Sequence, residues 1–238
     1  MDALNTAEIA SWQRRGKYLL AELTRNGKTA GWLGVHLRMT GQLLWLDRSE
    51  AVSSHSRVRL FLGEHRELRF VDQRTFGRLW WVPPGTDPQT VMTGLQRLGP
   101  EPFGADFSVA YLKAQLSRSQ RPIKNALLDQ RLVAGIGNIY ADEALFISGI
   151  RPRTRCDRIG PRRVAKLHAA IIKVLTDSIE AGGTTFSDFR DVHGVNGNYG
   201  GVAWVYDREG EPCRTCQTPI QRLKLAGRSA HYCPRCQR

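Results

Sequence analysis

The chain has 238 residues, 41% hydrophobic and 24% charged, with aromatic side chains spread throughout. That is enough to bury a sizeable core, and it excludes collagen-like, mucin-like, coiled-coil and largely disordered proteins. Its 35 Lys and Arg against 22 Asp and Glu leave a formal charge of +13, which draws polyanions at long range and makes nucleic acid the expected partner.

The opening MDALNTAEIASWQRR lacks a basic stretch followed by an apolar one, so no secretory signal is expected. No run reaches the roughly 18 apolar residues of a spanning helix, and no basic helix carries a bulky apolar face, so the expected compartment is the cytoplasm. The first hundred residues read as strands at 17–23, 31–37, 42–46, 57–62, 67–71 and 77–82, with Asn26-Gly27 as a tight hairpin turn. Alternation such as Arg57-Val58-Arg59-Leu60-Phe61-Leu62 suits antiparallel sheets with one covered face. Pro83-Pro84-Gly85 breaks the last strand, and Leu98-Gly99-Pro100-Glu101-Pro102 reads as a hinge.

From Asp106 the period becomes helical. Helices are expected at 107–118, 122–129 and 138–148. A longer one carries Val164, Leu167, Ile171, Val174 or Leu175 and Ile179 at three-to-four spacing, and Gly182-Gly183 ends it. A loop rich in Gly and Asn, HGVNGNYGG at 193–201, leads to a short β segment at 202–206. Gly135-Ile136-Gly137-Asn138 opens the helix at 138, where glycines permit close backbone approach and a helix N-terminus attracts phosphate. A plain helix cap by Asn138 is the alternative.

Four of the five cysteines lie in the tail as Cys213-x2-Cys216-x16-Cys233-x2-Cys236. Two close pairs at this separation suit two thiolate knuckles on one tetrahedral Zn2+, and disulfides are disfavoured in a chain without a secretory signal. Four thiolates leave no open position, so the zinc is expected to be structural. Cys156 lies outside the pattern and reads as a plain small residue. The stretch between the pairs reads as a hairpin with Arg228 near its tip, where it offers a basic side chain to a nucleic-acid backbone.

Taken in order from Gln13 to Gln237, the segments QRRGKYLL, HLRMTGQL, DQRTFG, LGPEP, GIGNIYADEALF, GGTTFSDF, GNYG and GRSAHYCPRCQ resemble the bacterial formamidopyrimidine-DNA glycosylases. The resemblance implies an α+β protein: an antiparallel β-sandwich over 1–98, a helix–two-turns–helix domain with a lesion-capping loop over 99–201, and a zinc ribbon over 202–238. It implies a monomeric base-excision enzyme of the bacterial cytoplasm. Such an enzyme removes oxidised purines from double-stranded DNA and cleaves the abasic site by β,δ-elimination. An enzyme of this kind extrudes its target base and fills the void. The positions matching the void-filling residues are Met39, Arg74 and Phe76, and Arg74 also matches a reader of the opposite base. His55 matches a DNA-contacting histidine, Asn138 and Arg228 match the phosphate clamp, and Tyr199 matches the loop that folds over the extruded base. Lys124 adds to the basic field over the DNA. Lys17 matches the proton donor of β-elimination, and Arg228 is linked to the δ-elimination step.

The family draws its attacking amine from an N-terminal proline in a Pro-Glu-Leu-Pro-Glu opening, with the adjacent Glu protonating the sugar ring. This sequence opens Met1-Asp2-Ala3-Leu4, and the segment that would precede QRRGKYLL is absent. Part of the sandwich is therefore expected to be missing, leaving an apolar face and an unpaired strand edge. The Met1 amine is a conceivable substitute that nothing places at the sugar, and Lys17 is a conceivable weak lyase nucleophile on preformed abasic sites. Three readings stay open: a glycosylase and lyase whose start is placed too late or whose gene is truncated, an inert damaged-DNA-binding protein, and an endonuclease VIII-like enzyme for oxidised pyrimidines. The GNYG, Met-Thr-Gly and DQRTFG segments favour the purine-directed branch over the last.

Overall fold

Apolar–polar alternation becomes strand throughout the first part of the computed structural model, which describes residues 4–184 and 191–238. Strands β1 (Glu8–Arg15), β2 (Tyr18–Arg25), β3 (Lys28–His36) and β7 (Arg78–Val82) form an antiparallel sheet in the order β1-β2-β3-β7. Strands β4 (Gly41–Asp47), β5 (Ser56–Leu62) and β6 (Arg66–Asp72) form a second, in the order β4-β6-β5. Ala21, Leu23, Leu33 and Val35 from one sheet bury against Leu43, Leu68 and Phe70 from the other, so the two close as a sandwich.

Strand β1 escapes the sequence reading. It is an edge strand with mostly exposed residues, and a bulge between Ile9 and Ser11 breaks its alternation. Leu4, Ile9, Leu23, Leu33, Leu60 and Leu62 line an open groove of about 290 Å3 on this unit. Glu67, fully buried on β6, accepts hydrogen bonds from Arg59 Nε at 2.8 Å and from Arg69 Nε, and Arg69 also donates to the carbonyls of Ala51 and Glu50. Burial opposes ionisation of Glu67, and the two guanidinium groups outweigh it and lower its pKa.

The sandwich and residues 182–198 form one unit, whereas the sequence reading carries 182–198 with the helices. Within that unit the Trp45 amide donates to the Val192 carbonyl at 2.8 Å, which fixes residue 192 to the edge strand β4. Most of the GGTTFSDF segment falls at 185–190, outside the described residues, as does Met1.

The second unit comprises 98–181 and 199–238. After two short turns, α1 (Pro88–Val91) and a 3-10 segment in the first unit, helices α2 (Val109–Ser117), α3 (Ile123–Leu127), α4 (Asn138–Ser148), α5 (Pro161–Glu180) and α6 (Tyr199–Val202) follow, with β8 (Gln221–Leu225) and β9 (Arg228–Tyr232) as the tail hairpin. Leu112, Leu116, Leu127, Leu145, Leu167 and Ile171 are among the residues of one core that α2 to α5 share. On α5 the buried stripe runs Val164, Leu167, Ile171, Val174 and then Ser178, while Ile179 is 67% exposed. The three-to-four period leads to 178 rather than 179, and Ser178 meets the demand for a partner through a 2.6 Å hydrogen bond with the Tyr140 hydroxyl.

The β segment expected at 202–206 is not formed. The amides of Trp204, Val205 and Tyr206 instead donate to the buried carboxylate of Glu143, at 2.7, 3.0 and 3.0 Å. Burial raises the Glu143 pKa in spite of these three donors. Cys156 is buried in the core, and that burial pushes its thiol pKa up. No helix among the described residues is long and apolar enough to cross a membrane.

Gly31 shows how tightly β3 meets β7. Its φ is +97°, and a Cβ there would lie 2.1 Å from the Val82 carbonyl oxygen, which is backbone and cannot swing aside. Gly31→Ala is expected to destabilise the protein by about 2 kcal/mol or more, read from the denaturant midpoint. An unchanged midpoint would mean that the strands part easily at this point.

Candidate nucleic-acid interface and zinc site

In the sandwich unit, Met39 sits in the β3–β4 turn and Arg74 and Phe76 in the β6–β7 turn. Met39 is 57% and Phe76 54% exposed, so neither is a core residue, and the Arg74 guanidinium lies over the Phe76 ring with Cζ 5.0 Å from its centroid. Both turns hold a non-glycine residue at positive φ, Arg38 at 58° and Thr75 at 58°. Such backbone persists only where its surroundings over-determine it. The sequence reading missed the group that does so, which is Asp72. Its carboxylate accepts from Thr40 Oγ1 at 2.5 Å and from the Gly77 amide at 2.7 Å, and Thr40 Oγ1 accepts from the Arg74 amide at 3.1 Å. Its own amide donates to the His55 carbonyl at 2.9 Å, so His55 too is pinned to the end of β6. Desolvation works against the Asp72 charge, but the Thr40 hydroxyl and the surrounding amides prevail and lower its pKa.

Lys17 occupies the exposed β1–β2 turn beside Gly16, whose φ is 57°. Nearby His36 is buried and stacks edge-on against Tyr18, and its Nδ1 accepts from the Arg38 amide at 3.0 Å. Desolvation first, then the charges of Arg38, Lys17 and Arg78, push the His36 pKa down to about 4, so this imidazole is neutral at pH 7. His36 therefore braces the Met39 turn as an acceptor and adds no charge to it.

In the helical unit the GIGN segment is a braced loop. Gln130 accepts from the Gly135 amide at 2.9 Å and donates to the Ile136 carbonyl at 2.9 Å. Gly137 is the N-cap of α4 and Asn138 the first helical residue, so the reading of Asn138 as a cap does not hold. Its side chain instead reaches toward Ser229 Oγ, at 3.4 Å. Arg228 is exposed and begins β9 directly after Ala226 and Gly227, both at positive φ, which puts it at the hairpin tip. Ser229 is thus the link that brings Asn138 and Arg228 together.

Two residues expected to contact DNA lie inside the helical unit. Lys124 has no exposed side-chain surface: its ammonium pairs with Asp142 Oδ1 at 2.6 Å and donates to the Ser229 carbonyl. Burial lowers its pKa, against the pull of Asp142. Tyr199 is 3% exposed and packs edge-on against Tyr140 with centroids 5.9 Å apart. Its glycine neighbours suggest a mobile loop, yet the ring is part of the helical core, where burial pushes the phenol pKa up.

Cys213, Cys216, Cys233 and Cys236 hold their sulfurs within 4.8 Å of one another. The Cys213–Cys236 and Cys216–Cys233 separations are 3.9 and 3.4 Å, far beyond a disulfide bond and close to the ~3.8 Å edge of a tetrahedral zinc–thiolate site. The amides of Thr215 and Cys236 point at the Cys213 and Cys233 sulfurs, at 3.5 and 3.4 Å. These four side chains fit one structural zinc and leave no ligand position open.

The sequence matches three family descriptions in succession. These are the formamidopyrimidine-DNA glycosylase N-terminal domain over 1–79, the formamidopyrimidine-DNA glycosylase H2TH domain over 98–190, and the zinc finger found in FPG and IleRS over 210–238. The formamidopyrimidine-DNA glycosylase of Acaryochloris marina is 62% identical over 238 residues, 100% of this chain and 84% of the relative. That of Synechococcus sp. is 63% identical over 235 residues, 99% and 83% of the two. Among solved structures, the Fpg protein of Thermus thermophilus superposes with a TM-score of 0.89 at 39% identity, covering 99% of this chain and 85% of that one. The Lactococcus lactis Fpg in complex with DNA containing an abasic site gives 0.88 at 32% identity, covering 98% and 83%.

Because a structural zinc is part of the folding energy, stripping it with a chelator, or Cys233→Ser, is expected to remove one zinc per chain and several kcal/mol of ribbon stability. Zinc release measured with a chromophoric indicator, alongside the thermal melt, checks this. Full zinc release with an unchanged melt would contradict it.

Proposed function

We propose that this chain, which belongs to the formamidopyrimidine-DNA glycosylase family, removes oxidised purines from duplex DNA in base-excision repair and cleaves the resulting abasic site by β,δ-elimination. The observation that carries the reading is the pair of strained, exposed turns bearing Met39, Arg74 and Phe76, together with family membership over the whole chain length. An enzyme that extrudes a base needs apolar and cationic side chains standing clear of the surface to occupy the hole. An exposed Met and an exposed Phe stacked under a guanidinium supply that chemistry. Asn138 and Arg228, joined through Ser229, suit a phosphate clamp, with the charge of +13 steering the duplex in.

Base release requires an amine to displace the base at C1′ and hold the sugar as a Schiff base, after which loss of a proton from the sugar expels the 3′ phosphate. Lys17, exposed in its turn, is assigned proton donation during β-elimination, and Arg228 the δ-elimination step. His55 is assigned a backbone contact to DNA. The substrate places the protein with the genome, which in a bacterial cell is the cytoplasm.

The test is a duplex carrying 8-oxoguanine opposite cytosine, incubated with the mass-verified, zinc-loaded chain, with released base and strand ends identified by mass spectrometry. With the attacking amine that base release requires in place, free 8-oxoguanine and a gap with phosphate at both ends are expected, and Met39→Ala or Phe76→Ala is expected to lower kcat/KM about tenfold or more. Selective binding of the damaged duplex without base release would contradict the catalytic reading and make the chain a damage-binding protein.

A further inference from the structure

We infer that Asp72 and Thr40 are a positioning pair that locks the two void-filling turns into one insertion-ready unit, an inference that rests on the roles proposed above for Met39, Arg74 and Phe76. The connections are specific. Asp72 stands opposite Gly41 in the β4–β6 register and is 1% exposed. One carboxylate oxygen takes the hydroxyl of Thr40, the residue after Met39, and the other takes the amide of Gly77, the residue after Phe76. The Thr40 hydroxyl oxygen then accepts the amide of Arg74, so a single oxygen is shared between the Met39 turn and the Arg74 turn. Gly77 can approach only because it has no side chain: a Cβ there would lie 2.4 Å from the Phe70 ring and 3.0 Å from Asp72 Oδ2.

A buried aspartate that merely closes a turn is the plainer explanation, and two features set this site apart from it. The network bridges two turns, each of which crosses between the two sheets. It also maintains positive φ at Arg38 and at Thr75, a β-branched residue for which that conformation is especially unfavourable, while the side chains so displayed stay more than half exposed at Met39 and Phe76. Strain held without burial in return is the pattern of residues presented for contact with something else. Asp72 and Thr40 act through the residues they hold and need touch no DNA themselves.

The experiment uses the zinc-loaded chain and a duplex containing a tetrahydrofuran abasic analogue with 2-aminopurine beside it, whose fluorescence rises when insertion unstacks it. Thr40→Val keeps the shape and removes the hydroxyl, Thr40→Ser restores the hydroxyl, and Met39→Ala and Phe76→Ala remove the wedges themselves. At saturating protein Thr40→Val is expected to cut the fluorescence rise about tenfold, as loss of a buried bridging hydrogen bond allows, with Kd changed much less and Thr40→Ser close to wild type. Asp72→Asn, nearly isosteric, is expected to behave like Thr40→Val and serves if that variant folds poorly. A wild-type rise for both Thr40→Val and Asp72→Asn, with Met39→Ala and Phe76→Ala defective, overturns the positioning role and leaves the wedge reading intact. A wild-type rise for Met39→Ala and Phe76→Ala overturns the wedge reading itself, and the positioning role falls with it.

Discussion

The buried ion pair between Lys124 and Asp142 is the constraint on which the helical unit depends. Two charges with no exposed surface carry a large desolvation cost, and the pair is tolerable only because further hydrogen bonds surround it. The Lys124 ammonium also donates to the Ser229 carbonyl, and the second Asp142 oxygen accepts the His231 amide at 3.0 Å. Helix α3 supplies the cation, α4 the anion and β9 the neutral partners, so three elements distant in sequence are fastened at one point. The tail hairpin thus delivers the carbonyl and the amide that stabilise the ion pair.

The functional consequence lies one residue away. With Ser229 fixed by the pair, its hydroxyl meets Asn138 at the start of α4 and its neighbour Arg228 is carried at the hairpin tip. The sandwich unit solves the same problem with another buried anion, Asp72, which is stabilised by a hydroxyl and by backbone amides. In both units the residues proposed to meet DNA lie at turns and element ends, and a buried carboxylate one or two bonds behind them supplies the rigidity. Precision at an exposed surface has to be built from the inside, because exposed side chains have no packing of their own to hold them.

Much of this was legible in the sequence. Period-two runs located six of the seven sandwich strands, the three-to-four period and terminal glycines located α4 and α5, and the spacing of the four cysteines located the zinc site. What stayed hidden has physical causes. Strand β1 carries a bulge and lies at an edge, so its pattern reads as polar coil. A lysine is normally a surface residue, and nothing near Lys124 in the chain announces Asp142, eighteen positions on, as its partner. Tyr199 sits among glycines that look mobile, yet its ring belongs to a core formed by residues far away in sequence. Residues 202–206 look like a strand, but a carboxylate from α4 takes their amides. The Asp72 network was missed for the same reason: DQRTFG shows an acidic residue before a turn, and only the fold reveals that it also reaches Thr40.

The most direct test of a clamp held from within is the affinity of Asp142→Asn for a duplex containing an abasic analogue, measured at fixed salt against the parent chain. Simple electrostatics makes the variant one charge more positive and therefore a tighter DNA binder. If the buried pair positions Asn138 and Arg228, the variant instead binds more weakly, by about tenfold, with zinc still at one per chain. Equal or tighter binding by a folded, zinc-loaded Asp142→Asn protein would contradict the claim that the ion pair holds the clamp in place.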